Sequence, residues 1–122
     1  MTDRQYAIGI DLGGTSIKFG LLDSDGQFLH EGKVPSYADI SAEDIINQLV
    51  RVAEETKSFA HKHNYSITGI GIGSPGIIDA TGRTVLGGAE NLKGWENLAL
   101  AEIIETRTAL PVILDNDANL WV

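Results

Sequence analysis

The sequence predicts an α/β fold whose elements run β-β-β-α-β-α-β. Three observations carry this. Apolar runs at 6–10, 16–22 and about 27–35 are separated by short, turn-rich segments and read as an antiparallel meander. Ile45, Ile46, Leu49, Val52, Ala53, Thr56, Phe59 and Ala60 then recur at helical spacing. Beyond them, a glycine-laced apolar run from 66 and a buried run at 110–114 bracket a shorter helical segment at about 98–106.

The first hairpin organises the chain. The run at 6–10 reads as a buried strand, and the chain turns through 11–15 before leaving as the strand 16–22. Gly13 and Gly14 are adjacent in that turn, and glycine adopts angles closed to other residues and admits a ligand close to the main chain. Successive N–H groups in such a turn can form an anion-binding concavity. Thr15 adds a hydroxyl, Lys18 a cation, and Asp11 a carboxylate suited to Mg²⁺ or its waters. Glycines can also serve hairpin geometry alone. The spacing of a P-loop, G-x-x-x-x-G-K-[ST], occurs nowhere.

The next turn is Asp23, Ser24, Asp25 and Gly26. After the third strand, Ser41 is the expected helix N-cap, with Glu43 and Asp44 in the first turn. Asn47, Gln48, Arg51, Glu54, Glu55, Lys57 and Lys62 form the opposite, solvated face, and Asn64 is the expected stop. Residues 71–76 match G-x-G-x-x-G, but Pro75 and a turn-like 78–82 follow rather than a helix. A dinucleotide fingerprint should open a helix. The expectation is a central strand ending in a Ser74, Pro75, Gly76 turn, its glycines admitting either a ligand or a packed helix.

Residues 79–97 read as a long irregular stretch with at most short strands. Loops of that length are more often functional or disordered than idle. Asn91 offers a donor and an acceptor to a sugar-like ligand, and Trp95 is expected to anchor the loop. The strand at 110–114 delivers Asp115, Asn116, Asp117, Ala118 and Asn119. Ligands in α/β sheets bind beyond the carboxyl ends of parallel strands. An N-cap role for Asp115 or Asn116 is the competing reading. Residues 120–122 read as a first helical turn, an abrupt place to finish a domain.

Composition narrows the classes. With 122 residues the chain reads as a single domain, 1–122, able to bury a core without staples. A net charge of −8 argues against nucleic acid or an anionic membrane as main partner. There is no cysteine, hence no disulfide, thiol nucleophile or cysteine zinc site. His30, His61 and His63 read as solvated, with His30 isolated. The polar start lacks a signal-peptide pattern and no apolar run is long enough to span, so a cytoplasmic protein is expected.

The element order, with a phosphate-type turn between strands one and two, resembles the ribonuclease-H-like lobe of the actin, sugar-kinase and chaperone ATPase superfamily. Within it, the chain resembles the ROK family of repressors and sugar kinases. Four segments carry the resemblance in order. They are Gly9 to Thr15 with Lys18, 71–76 with Asp79, Asn91 and Leu92 with Gly94 and Trp95, and 110–112 leading to 115–119.

The resemblance implies a mixed five-stranded sheet with helices packed on it, and ATP-dependent phosphorylation of a hexose, glucose first among the candidates. It implies Asp117 as catalytic base. Asn91 and Asn116 would bond sugar hydroxyls, and Ser74, Pro75 and Gly76 would line the sugar pocket. Gly13, Gly14 and Thr15 would hold ATP phosphates, with Asp11 near Mg²⁺; Lys18 would join them there or serve as a salt bridge or solvated tip. Kinases of the family continue into a second lobe with a zinc motif and an adenosine pocket, which this sequence lacks. It therefore reads as the N-terminal lobe, inactive alone and exposing apolar surface that invites self-association. A sugar-sensing regulator, a non-catalytic sugar-binding remnant and a carboxylate kinase are the competing readings.

Overall fold

The computed structural model describes residues 5–38, 40–89, 92 and 94–116. A five-stranded sheet has the order β3-β2-β1-β4-β7. Its strands are β1 (Gln5–Leu12), β2 (Ser16–Leu22), β3 (Phe28–Pro35), β4 (Ser66–Gly73) and β7 (Val112–Asp115). β1, β2 and β3 pair antiparallel; β1 with β4, and β4 with β7, pair parallel. Helices α1 (Ala42–Lys62) and α2 (Leu100–Thr108) supply the connections that parallel strands require. This is the mixed α/β sheet that the sequence predicts. A separate hairpin, β5 (Ile77–Ile78) and β6 (Val85–Gly87), interrupts the stretch expected to be irregular.

Strand alternation divides the sheet into two unlike faces. Ile8, Ile10, Leu12, Ile17, Phe19, Leu21, Ile70, Ile72, Val112 and Leu114 join the core. There they pack with Ile45, Leu49, Val52 and Ala53 of α1 and Leu100, Ala101 and Ile104 of α2. The other face carries Gly20, Gly9 and Gly71 side by side in register. The β4 glycines therefore face away from the helices, which pack on Ile70 and Ile72. The expectation that a helix might press on those glycines does not hold for α1 or α2.

Element boundaries shift for local reasons. β1 continues through Asp11 and Leu12 because these pair with Lys18 and Ile17, so Asp11 belongs to the strand and the turn is 13–15. Helix α2 starts at Leu100 rather than 98, since Leu98 is held in a two-way bridge with Val85. Ser41 caps α1 as expected: its Oγ accepts the Asp44 N–H at 3.1 Å. Asn64 adopts φ +60 just past the helix end, the left-handed conformation that asparagine tolerates.

The polar face of α1 is not wholly solvated. Gln48 is buried and its Nε2 donates to the Pro35 carbonyl at 2.8 Å. Lys57 Nζ donates to the Thr108 carbonyl at 2.6 Å, closing the C-terminus of α2. His30 is not isolated either. It stacks on Phe59 at 4.5 Å and bonds Glu55 at 3.2 Å, because β3 lies beside the last turns of α1. His63 stacks against Tyr65 with ring centroids 5.6 Å apart. No helix among the described residues is long and apolar enough to cross a membrane.

Candidate active site

The carboxyl ends of the three parallel strands β1, β4 and β7 bring the predicted segments together. One register row crosses the whole sheet there: Lys33, Lys18, Asp11, Gly73, Asp115. Register partners share a face, so two cations lie beside two carboxylates, with a side-chain-free glycine between the acids. At the strand spacing of about 4.8 Å, the Asp11 and Asp115 backbones are about 10 Å apart. Asp11, Lys18 and Asn116 line one cavity of about 690 Å³ over the glycine-rich face, together with Phe28, Glu31 and Lys33. A second cavity of about 340 Å³ is lined by Asp115, Asn116 and the 78–82 turn. Asn116 borders both.

The 13–15 turn is braced from behind. Ser36, fully buried, donates its hydroxyl to the Gly14 carbonyl at 3.2 Å, and its N–H donates to the Thr15 carbonyl at 3.1 Å. Gly13 N–H closes the turn on the Ser16 carbonyl at 2.8 Å. With those carbonyls tied back, the exposed Gly14 and Thr15 N–H groups have no hydrogen-bond partner among the described residues. Free successive N–H groups are one requirement of an anion nest. Neither glycine has a left-handed φ, so the conformational argument for them does not hold. Gly13 is nevertheless sterically constrained: a Cβ there would lie 3.0 Å from the Ser16 carbonyl oxygen.

The 74–76 turn is held differently. Asn116 Nδ2 donates to the Gly76 carbonyl at 2.7 Å and to the Ser74 carbonyl at 3.2 Å. Ser74 N–H donates to the Asp115 carbonyl at 2.8 Å. The end of β7 is thereby sewn to the end of β4. Gly76 adopts φ +98, and a Cβ there would meet the Gly87 carbonyl oxygen at 2.5 Å. Ser74 is buried, and its hydroxyl accepts the Trp95 Nε1 hydrogen at 2.9 Å. Trp95 is fully buried, the anchor that the sequence predicts. Pro75 and Gly76 are half-buried at the turn surface. Asn91 and Asp117 lie outside the described residues.

A charged clamp closes the far side. Arg83 Nη1 and Nη2 donate to the two oxygens of Glu105 at 2.7 and 2.6 Å. The Arg83 hydrogen bond, and then the Val112 N–H, hold the Glu105 carboxyl down at about 2. Asp79 is also held below the usual carboxylate range, by Thr81 first and then by the N–H groups of Thr84 and Arg83. Ser36, Gln48, Arg83 and Glu105 are not legible in the sequence as parts of a site. Each is a polar residue whose partner is backbone or an ion distant in sequence, and only Arg83 carries a local hint, directly after the turn glycine Gly82.

The donor set fits a divalent cation. Mg²⁺ keeps several waters and takes one or two carboxylates plus substrate phosphates; Asp11, at the end of β1 before the turn, could supply one, whereas Asp115 lines the other cavity. Among the described residues, no three His, Cys, Asp or Glu side chains converge as a ready-made metal site.

A turn with free N–H groups, a mixed sheet and a polar cluster at its carboxyl edge are the features by which the sequence resembles the ROK family. The profile of the ROK family matches residues 7–122, and the chain belongs to that family. It is 36% identical over 120 residues to a glucokinase of Halalkalibacterium halodurans, covering 98% of this chain and 36% of that protein. It is 38% identical over 112 residues to a xylose repressor of Caldicellulosiruptor bescii, covering 92% of this chain and 28% of the repressor. Its structure resembles a ROK family glucokinase from Streptomyces griseus in complex with glucose and AMPPNP. The TM-score is 0.79 at 32% identity, over 93% of this chain and 33% of that one. The chain thus spans about a third of the length of these relatives.

Proposed function

We propose that this chain is the phosphate-turn and sugar-binding lobe of an ATP-dependent hexose kinase, with glucose the leading substrate. The observation that carries the reading is the stitching of β7 to β4 by Asn116. It ties the 74–76 turn to the Asp115 and Asn116 cluster, and strand register sets Asp11 on the same edge of the sheet. The similarity to a glucokinase structure holding glucose and AMPPNP supports it.

In this reading Asp117 accepts the proton of the sugar hydroxyl. The hydroxyl oxygen forms a bond to the γ-phosphorus, the bond from that phosphorus to the bridging oxygen breaks, and ADP leaves. Transfer of this kind depends mainly on positioning and charge stabilisation. The Gly14 and Thr15 N–H groups and Lys18 face the phosphates. Asn116, with both amide hydrogens committed to the turn, offers its Oδ1 to a sugar hydroxyl, and Asn91 a second contact. Pro75 and Gly76 form the surface of the sugar pocket, with Ser74 behind them. Asp11 would hold Mg²⁺, directly or through water, and the ion would neutralise phosphate charge.

Catalysis then requires a second lobe that closes over the nucleotide and excludes water. The partners are the hexose, that lobe and a second copy of the protein; nucleic acid and membrane are not among them, and the setting is cytoplasmic. In a polypeptide that includes both lobes, Asp117→Asn should lower turnover by at least about a thousandfold and leave hexose affinity within a few fold. Retained turnover would remove Asp117 from the role of base.

The similarity to a xylose repressor favours a second reading, a sugar-responsive regulator. Hexose binding without ADP release would select it.

A further inference from the structure

β7 has only four residues and one strand neighbour, β4. Three polar groups of its other edge are nevertheless engaged among the described residues. Leu114 N–H donates to the Gly82 carbonyl at 2.9 Å. Val112 N–H donates to Glu105 Oε2 at 2.8 Å, and Val112 O accepts from Arg83 Nη1 at 2.8 Å. One ion pair thus supplies both the acceptor and the donor that a neighbouring strand would have supplied. The pair itself is fork-on-fork, the geometry that fixes both partners in a plane.

The clamp is anchored to the helix and the loop together. Glu105 sits on α2, and the Ala101 N–H of the same helix donates to the Arg83 carbonyl at 3.2 Å. Asp79 holds the loop by accepting from Arg83 N–H at 2.7 Å and Thr84 N–H at 3.0 Å. What the clamp grips lies three and four residues before the cluster at the strand end. A slip of one residue in β7 would turn its side chains to the other face. Asp115 would leave the row with Asp11, and Asn116 would lose the carbonyls of Ser74 and Gly76.

We propose that Arg83 and Glu105 are positioning residues: they lock the register of β7 so that Asn116 holds the 74–76 turn in its sugar-facing form. The function assigned to that turn rests on the hexose-kinase reading. The clamp touches no substrate and acts through Asn116.

The test is ¹H–¹⁵N NMR of the 122-residue chain at neutral pH, comparing E105A, R83K and V52A with the unchanged sequence. Val52 is a buried core residue of α1 and controls for general loss of stability. Two signals are read: exchange protection of the Leu114 amide, and the split side-chain amide resonances of Asn116. E105A should lower Leu114 protection at least roughly tenfold and move the two Asn116 side-chain amide shifts to the values of a free asparagine. R83K keeps the charge without the fork, should give a smaller loss of both, and decides the matter where E105A does not fold. V52A should lower the melting temperature and leave the Asn116 signature intact.

Wild-type signals in both clamp variants, or equal loss in V52A, would overturn the proposal. Turnover of hexose by a two-lobed polypeptide is scored separately. Loss of the Asn116 signature without any hexose turnover keeps the clamp and removes the kinase reading; turnover with an indifferent Asn116 does the reverse.

Discussion

At the residue scale, the carboxyl edge of the sheet is held by polar side chains whose partners are distant in sequence. Asn116 uses its amide to hold the 74–76 turn, Ser74 uses its hydroxyl to receive Trp95, and Glu105 uses one oxygen to complete the edge of β7. The last of these has a measurable signature. Glu105 has its carboxyl lowered from 4.5 to about 2 by Arg83 and the Val112 N–H. A carboxyl with a lowered pKa contributes stability that is fully present above its unfolded value and is lost as pH falls through the folded one. The clamp should therefore persist below pH 4.5 and open as pH approaches 2. A ¹³C titration of the Glu105 carboxyl should give a midpoint near 2; a midpoint near the ordinary glutamate value would show that the fork does not hold in solution. None of this is visible in the sequence, because neither the spacing of Arg83 and Glu105 nor their composition marks a pair brought together by a loop folding back on a helix.

At the element scale, two turns at the sheet's carboxyl edge do the work, and both are built from outside. The 13–15 turn is shaped by Ser36, which follows β3, and the Pro35 carbonyl beside it is held by Gln48 from α1. The 74–76 turn is shaped by Asn116 from β7 and backed by the β5–β6 hairpin, whose Gly87 carbonyl lies where a Gly76 side chain would go. Gly76→Ala should then cost about 1–3 kcal/mol, from the φ of +98 and the close approach together. A denaturation midpoint unchanged from wild type would show that the turn can relax. The strands, the Ser41 cap and the α1 stripe are legible in the sequence because they follow periodicity and local side-chain chemistry. The β5–β6 hairpin is not, since strands of two and three residues leave no alternation to read. Gln48 reads as solvated because helical spacing alone cannot show that β3 ends over it.

At the scale of the whole molecule, the sheet separates duties between its faces. One face and both helices make the core. The other carries a glycine row, and at its carboxyl edge Lys33, Lys18, Asp11 and Asp115 stand in register. The four motif segments are far apart in sequence, yet three of them have described residues along this edge, which is why their order along the chain is informative. Lys33 and Asp115 join the row only through strand register, which sequence does not display. The exposed Phe28 beside the larger cavity is apolar surface of the kind expected for a lobe that meets a second one.

In the proposed function, this lobe belongs to a hexose kinase and does not turn over alone. The most direct measurement is ADP release with Mg·ATP and a panel of hexoses, made on the 122-residue chain and on a polypeptide that continues into a second lobe. Hexose-dependent ADP release by the longer polypeptide only, strongest with glucose, is the predicted result. Release by the short chain would contradict the need for a second lobe, and no release by either, with both folded, would contradict the kinase itself.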